Sequence, residues 1–344
     1  MFTRKTVLVV GAGGSHEVNL PVREGLKSRI ASKLQIEYDL NTRRSGDGTI
    51  AELVIRSARN KNLNPNDFFL AGRQIAAAMP QAISIDNFLH THAANEDLVM
   101  MGKLAIAASI LEAEQNSNLI VRDRYQTIDF SSYQNIWHNT FCKMLCEGVP
   151  LDKIDTVFDN LTIITFNYDR CIEHYVAHWL ANYMLIDFGD ACRLTSKMKI
   201  FHPYGQVGKL PWQDGPAAAV PYGELATIQS LPMIASQIRT FTERVDDDAM
   251  LQAMRNALGM ADQVVYLGFS FNQMNMNLMR VEASQGLKNV YGTVYGMSGP
   301  NVNASRDRIA RSLTSPSGGM VNNWFLSGTT ANSLLNDHWY QLSE

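Results

Sequence analysis

The chain is poor in cysteine, with only four among 344 residues, and no two of them form a C-x-x-C pair. They are Cys142, Cys146, Cys171 and Cys192. Zinc ribbons with four cysteine ligands depend on such pairs, so that class of metal module is excluded. Because free cysteines in globular proteins are mostly buried thiols, we expect four reduced core cysteines and no metal site.

Long apolar runs and a strong excess of charge are also lacking. No segment approaches the roughly 20 apolar residues of a membrane span. The apolar stretch near the N-terminus is too short for a secretion signal and runs into glycines. The formal net charge is -3, which does not favour broad nucleic-acid binding and leaves only a local basic patch for it. We therefore expect a soluble, cytoplasmic protein that binds neither membranes nor nucleic acid directly.

Short apolar runs typical of buried parallel strands are present instead. They occupy residues 7–10, 161–165, 198–202, 263–268, 289–296 and 320–326. Apolar residues at helical spacing follow the first two runs, over 22–35 and 170–184. This alternation predicts an α/β fold, with a Rossmann-like parallel sheet and helices on both of its faces.

Residues 36–155 differ from the rest because strand-like runs are scarce there. Helical stretches are predicted near 49–58, 68–79, 96–114 and 132–147. We interpret this segment as a helical insertion or cap over the sheet, a kind of segment that often encloses a ligand. No repeat, low-complexity tract or linker is visible, so residues 1–344 are expected to form one domain.

Two glycine turns follow predicted strands. In Gly11-Ala12-Gly13-Gly14-Ser15, glycines would let backbone N–H groups approach a pyrophosphate. His16 follows, so the G-x-G-x-x-G pattern is incomplete and a simple tight turn is the alternative. The second turn contains Gly268 and Ser270, and its serine could bond a phosphate or a ribose hydroxyl. A plain turn between strand and helix is again the alternative.

Polar side chains follow two further predicted strands. Asn167 and Asp169 come after residues 161–165, where they could face a ligand or cap the next helix. His202 ends the strand at 198–202 and could act as a general base near neutral pH, although a lone histidine is more often structural. Since parallel strands share one carboxyl edge, where ligands bind, these groups are expected to lie together.

The order of these motifs resembles the sirtuin superfamily, in particular the bacterial SIR2-like domains of anti-phage defence systems. The pattern is G-A-G-x-S, then T-x-N-x-D, then a strand-end histidine before glycine, then G-x-S, and it spans residues 7 to about 275. Other runs that resemble the group are Val18-Asn19-Leu20-Pro21, Ile85-Asp86-Asn87-Phe88-Leu89, and Asn167-Tyr168-Asp169-Arg170 with Glu173.

The resemblance implies a binding site for NAD+, which would be the substrate and not a resident cofactor. The residues implied for its pyrophosphate are Gly11, Ala12, Gly13 and Ser15, and those for its adenosine side are Gly268 and Ser270. Asn167 and Asp169 would lie beside the nicotinamide ribose. His202 would be the catalytic base.

Three departures from the deacylase pattern bear on the reaction. Phe166 precedes Asn167 where deacylases have a Q-N-x-D run, and Pro203-Tyr204 separate His202 from Gly205. The zinc module is missing as well. The departures argue against protein deacylation and favour hydrolysis of NAD+. A hydride-transfer dehydrogenase is disfavoured because its complete dinucleotide fingerprint and ribose-binding acid are not visible.

The resemblance also implies a biological setting, in which an NAD+ glycohydrolase acts in anti-phage defence by depleting NAD+. Such an enzyme must be gated, so a homo-oligomer and a regulatory partner such as an ATPase or helicase are expected by analogy. The alternative is a non-catalytic module that binds NAD+ or ADP-ribose and signals through assembly with a partner.

Overall fold

The computed structural model describes residues 1–40, 42–121, 127–240, 248–314 and 318–343. Its strands, in chain order, are β1 (Thr6–Val10), β2 (Glu37–Asp39), β3 (Thr42–Ser45), β4 (Leu161–Thr165), β5 (Lys199–Phe201), β6 (Gln263–Leu267), β7 (Leu287–Thr293) and β8 (Met320–Ser327). Six of them form one parallel sheet in the order β5-β4-β1-β6-β7-β8. The predicted Rossmann-like α/β fold is confirmed.

The helices of the described ranges alternate with these strands. They are α1 (Ala12–His16), α2 (Arg23–Leu34), α3 (Gly48–Lys61), α4 (Pro65–Ala78), α5 (Ile85–Thr91), α6 (Glu96–Gln115), α7 (Trp137–Cys146), α8 (Cys171–Met184), α9 (Phe188–Thr195), α10 (Leu231–Ala235), α11 (Asp248–Met260), α12 (Gln273–Leu278), α13 (Gly299–Leu313), α14 (Ala331–Asp337) and α15 (Trp339–Ser343). Within those ranges, no helix combines the length and the apolar character that a membrane crossing requires.

The two faces of the sheet carry separate hydrophobic cores. Val7 and Val9 of β1 pack with α2 to α6 and with α10 to α13 on one face. Leu8 and Val10 pack with α7, α8, α9, α14 and α15 on the other. All five residues of β1 are buried, as a strand covered by helices on both sides must be, which is why its last four residues form an uninterrupted apolar run.

The order in which the chain adds strands to the sheet reverses at β1. From β1 it proceeds to β4 and β5 on one side, and then crosses to β6, β7 and β8 on the other. The carboxyl ends of β1, β4 and β6 therefore lie together at the point where the order of strands reverses. Ligands of open α/β sheets bind in the crevice at such a point.

Residues 36–155 contain the four expected helical stretches, as α3, α4, α6 and α7, and a further helix, α5, that was not predicted. They also contain a feature that the sequence does not suggest, because β2 and β3 pair as an antiparallel hairpin outside the main sheet. Both strands are polar and mostly exposed, so they lack the apolar alternation by which a half-buried strand is recognised.

Candidate functional site

A cavity of about 490 Å³ lies at the carboxyl ends of β1, β4 and β6. This volume is in the range of pockets that hold small molecules and cofactors. Eight of the nine site residues predicted from the sequence line it: Gly11, Ala12, Gly13, Ser15, Asn167, Asp169, Gly268 and Ser270. The ninth, His202, does not.

The floor of the cavity is made by two glycine turns that are in direct contact. The backbone N–H of Gly13 donates to Gly268 O over 3.0 Å, and that of Gly11 donates to Leu267 O over 3.0 Å. A Cβ on Gly13 would lie 2.8 Å from the Gly268 Cα. Gly268 has φ +58°, and its Cβ would lie 2.0 Å from the backbone nitrogen of Gly14. Both glycines are therefore needed for the loops to approach each other, in addition to any role towards a ligand.

Three buried polar side chains are joined on the wall of the cavity. Asn167 Nδ2 donates to Ser15 Oγ over 2.8 Å and to Gly11 O over 3.2 Å. Ser15 Oγ in turn donates to Asp169 Oδ2 over 2.9 Å. Because a backbone carbonyl can only accept, the contact with Gly11 fixes which end of the Asn167 amide is the nitrogen. Asn167 Oδ1 has no hydrogen-bond donor in the part of the chain that is described.

The electrostatic environment of Asp169 raises the pKa of its carboxyl above the ordinary value. Burial raises the pKa of this carboxyl, and the charge of the nearby Glu173 raises it further. Hydrogen bonds from Ser15 and from the backbone N–H of Cys171 oppose the rise without cancelling it. Asp169 can therefore hold a proton more readily than an ordinary aspartate, which suits a group that exchanges protons with a bound ligand.

The position of His202 differs from the expectation that it lies with the other site residues. Its Nε2 lies 3.1 Å from Glu173 Oε1, and its Nδ1 is buried without a partner among the described residues. Burial tends to raise the pKa of Glu173, but the charge and the hydrogen bond of His202 outweigh it and hold this pKa below its ordinary value. His202 thus pairs with the buried Glu173, and neither residue lines the cavity.

Tyr204, two residues later, takes the place in the cavity that His202 was expected to fill. Its hydroxyl donates to Asn275 Oδ1 over 2.6 Å. The backbone turn that directs this ring into the cavity depends on Gly205. This residue has φ +71°, and a Cβ added to it would lie 1.8 Å from Gln237 O. With Phe166, whose ring centroid is 5.8 Å away, Tyr204 forms an aromatic wall.

Three charged residues that were not singled out as site residues also line the cavity. Asp86, at the start of α5, accepts a hydrogen bond from the hydroxyl of Tyr168. Lys27 is buried, with its Nζ 2.8 Å from Ala82 O and 3.0 Å from Glu24 Oε2. Arg23 lies one helical turn before Lys27 and is exposed. Only the run Ile85-Asp86-Asn87 pointed to any of them, through the family resemblance, because nothing in the spacing relates α5 to β1.

The chain matches no protein-family model and no curated protein. The likeness to sirtuins therefore rests on the motifs and their order. Among the described residues, no three His, Cys, Asp or Glu side chains are grouped as metal ligands. The chemistry of the cavity is that of side-chain amides, two carboxyls, two basic side chains, hydroxyls and aromatic rings.

Proposed function

We propose that the cavity binds NAD+ and that the protein hydrolyses the bond between nicotinamide and ribose. The observation that carries this proposal is the orientation of Asn167. Its amide nitrogen is held by Gly11 O and Ser15 Oγ, which leaves Oδ1 to accept a hydrogen bond from a ribose hydroxyl or from water. A polar group fixed in this way, beside an aromatic wall, can orient a ribose and a planar ring.

In the proposed reaction the bond between C1′ of the ribose and the ring nitrogen breaks, and its electron pair goes to the nitrogen. Nicotinamide thereby leaves as a neutral molecule, so no strong general acid is needed. The transition state has oxocarbenium character. The oxygen of one water molecule then bonds to C1′, and that water loses a proton. The carboxyls that line the cavity, Asp169 and Asp86, are the candidates to accept it.

A second candidate function is binding of NAD+ or ADP-ribose without catalysis. The position of His202 favours it, because the imidazole expected to act as base pairs with Glu173 and does not line the cavity. A module of this kind would signal through assembly with a partner.

The resemblance to defence domains extends the proposal to a biological role. Unregulated hydrolysis would deplete the NAD+ of the host cell. The activity would therefore be gated by homo-oligomerisation or by a partner such as an ATPase or helicase. This part of the proposal depends on analogy with the family.

The test is incubation of the purified protein with NAD+, followed by chromatography for nicotinamide and ADP-ribose, with calorimetry for binding of NAD+. We expect release by the wild type and none by Asn167→Ala. The matched control is Asn256→Ala, an exposed asparagine on α11 that lies away from the cavity. Binding without release would favour the non-catalytic function. Absence of both binding and release would reject the two candidates.

A further inference from the structure

A second cavity of about 520 Å³ lies beside α8. Its wall is formed by α8 and α9 together with the segments around Trp212 and Tyr222. None of the described residues lines both this cavity and the first one. Nothing in the proposed function uses it.

Aromatic rings dominate the wall of this second cavity. His174 stacks on Tyr222 with ring centroids 3.9 Å apart and an angle of 3° between the planes. His178 contacts Phe188 at 4.4 Å between centroids. Trp212 lines the cavity, and its indole N–H makes no hydrogen bond with the described part of the chain. Such a wall offers flat faces to a planar ligand.

His178 is a second polar group of this cavity, beside the Trp212 indole, without a hydrogen-bond partner among the described residues. Its side chain is buried, with 7% of its surface exposed, yet it makes no hydrogen bond within the ranges that the structure describes. Its neighbour His174, by contrast, bonds Leu119 O through Nε2 over 3.0 Å. The ring nitrogens of His178 are not among the fully buried polar atoms that lack a partner in the described ranges, so they are open to the cavity and available to a ligand.

The charge state of His178 restricts what its partner can be. Burial lowers the pKa of this imidazole to about 4, so the ring is neutral at pH 7 and carries one N–H donor and one acceptor nitrogen. The nearest cation of the lining, Arg193, forms an ion pair with Asp190. The described lining therefore offers no unpaired charged side chain, which disfavours a ligand that binds through an ionic interaction.

We propose that the second cavity is a binding site for a nucleobase, presented as a free nucleoside. A nucleobase is planar and uncharged and carries both donors and acceptors at its edge, so it can stack on Trp212 while its edge bonds His178. The ribose of the nucleoside extends to the open side, where the cavity meets solvent. This inference does not depend on the proposed reaction at the first cavity.

The test uses adenosine as the probe and the indole N–H resonances of the full chain, observed in a nitrogen-15 labelled sample. The Trp212 resonance is assigned by its loss in Trp212→Phe. We expect millimolar adenosine to shift this resonance saturably, whereas Trp324, which lies on β8 away from the cavity, stays unchanged. His178→Leu keeps the bulk and removes the hydrogen bonds, so it should weaken adenosine binding about tenfold.

The matched control is Tyr183→Leu, on the same helix but with 61% of its surface exposed. It should bind adenosine as the wild type does, and the positions of the Trp137 and Trp324 indole resonances show that each variant is folded, whereas Trp179 stacks on Tyr183 and is not used for this purpose. Three outcomes would overturn the proposal: a Trp212 resonance that does not move, equal affinity in His178→Leu, or a shift confined to Trp137. Trp137 Nε1 donates to Gly14 O beside the first cavity, so its shift alone would mean binding there.

Discussion

Asn167 and Ser15 are 152 positions apart in the chain, and their side chains meet in a hydrogen bond of 2.8 Å. This bond ties the end of β4 to the turn after β1. Ser15 also donates a hydrogen bond to Asp169, so three polar groups from two strand ends are held as one unit. The arrangement is buried, which makes each of its bonds costly to lose.

Replacement of Ser15 by alanine tests whether this unit orients the site. The change leaves Asp169 Oδ2 without its donor and removes the closer of the two acceptors that hold the Asn167 amide, so we expect about 10²-fold slower nicotinamide release. Unfolding in urea should show a loss of about 1–3 kcal/mol. The control is Ser28→Ala, an exposed serine whose hydroxyl bonds Glu24 O on α2. Unchanged turnover in Ser15→Ala would show that the unit does not position a substrate.

Gly268→Ala tests the contact between the two glycine turns. The new Cβ would lie 2.0 Å from the Gly14 nitrogen, and the backbone has a left-handed φ of +58°. We expect the free energy of unfolding to fall by at least about 1–3 kcal/mol, together with weaker NAD+ binding. Gly299→Ala is the matched control, because a Cβ there would have no heavy atom within 4 Å apart from its chain neighbours and the backbone of its own helix. Equal stability of the two variants in urea would contradict the packing described for the floor.

His202→Ala separates a structural role from a catalytic one. Glu173 has 2% of its side-chain surface exposed, and the change leaves its charge buried without this partner. We expect a loss of about 3–5 kcal/mol in the free energy of unfolding, with nicotinamide release per folded molecule retained. His202→Gln can keep a hydrogen bond to Glu173 and should lose less. A variant as stable as the wild type but without turnover would instead identify His202 as the catalytic base.

The raised pKa of Asp169 predicts a dependence of stability on pH. A carboxyl whose pKa is above its ordinary 3.8 in the folded state stabilises the fold below that value, and this contribution is lost as pH rises through the folded pKa. Asp169→Asn removes the titration. Its free energy of unfolding relative to the wild type should therefore increase with pH from about 4 upwards. Parallel pH profiles of the two proteins in urea would show that the pKa is not raised.

Glu173 is present in both of those proteins, and its shift has the opposite sign. Its folded pKa lies below the ordinary 4.5, so its contribution is present above that value and is lost as pH falls through the folded pKa. Its effect largely cancels in the comparison of wild type with Asp169→Asn. The difference between the two profiles thus reports on Asp169.

The sheet and the residues along its edge could be predicted from the sequence for a physical reason. In β1, β4 and β6 every residue is buried, so selection for apolar side chains on both faces leaves runs that stand out. The residues that follow each run must then lie at the carboxyl edge of the sheet. Asn167, Asp169 and the glycine turns were placed correctly at the cavity by this reasoning alone.

Side-chain direction in the turn after β5 could not be predicted in this way. Whether His202 or Tyr204 faces the cavity depends on how the chain turns at Gly205, and Gly205 is packed against Gln237 from a distant segment. Asp86 reaches the cavity because α5 packs on α6 over the sheet. Both facts follow from contacts between segments far apart in the chain, which leave no trace in local spacing.

The backbone contact between Gly13 and Gly268 has a kinetic consequence for whatever enters the first cavity. Since this floor is assembled by the fold itself, the chain there does not have to be ordered when a ligand arrives. Little conformational entropy is then lost on association. The on-rate should accordingly approach that of encounter with a preformed surface, and differences in affinity among ligands should appear in how fast each one leaves.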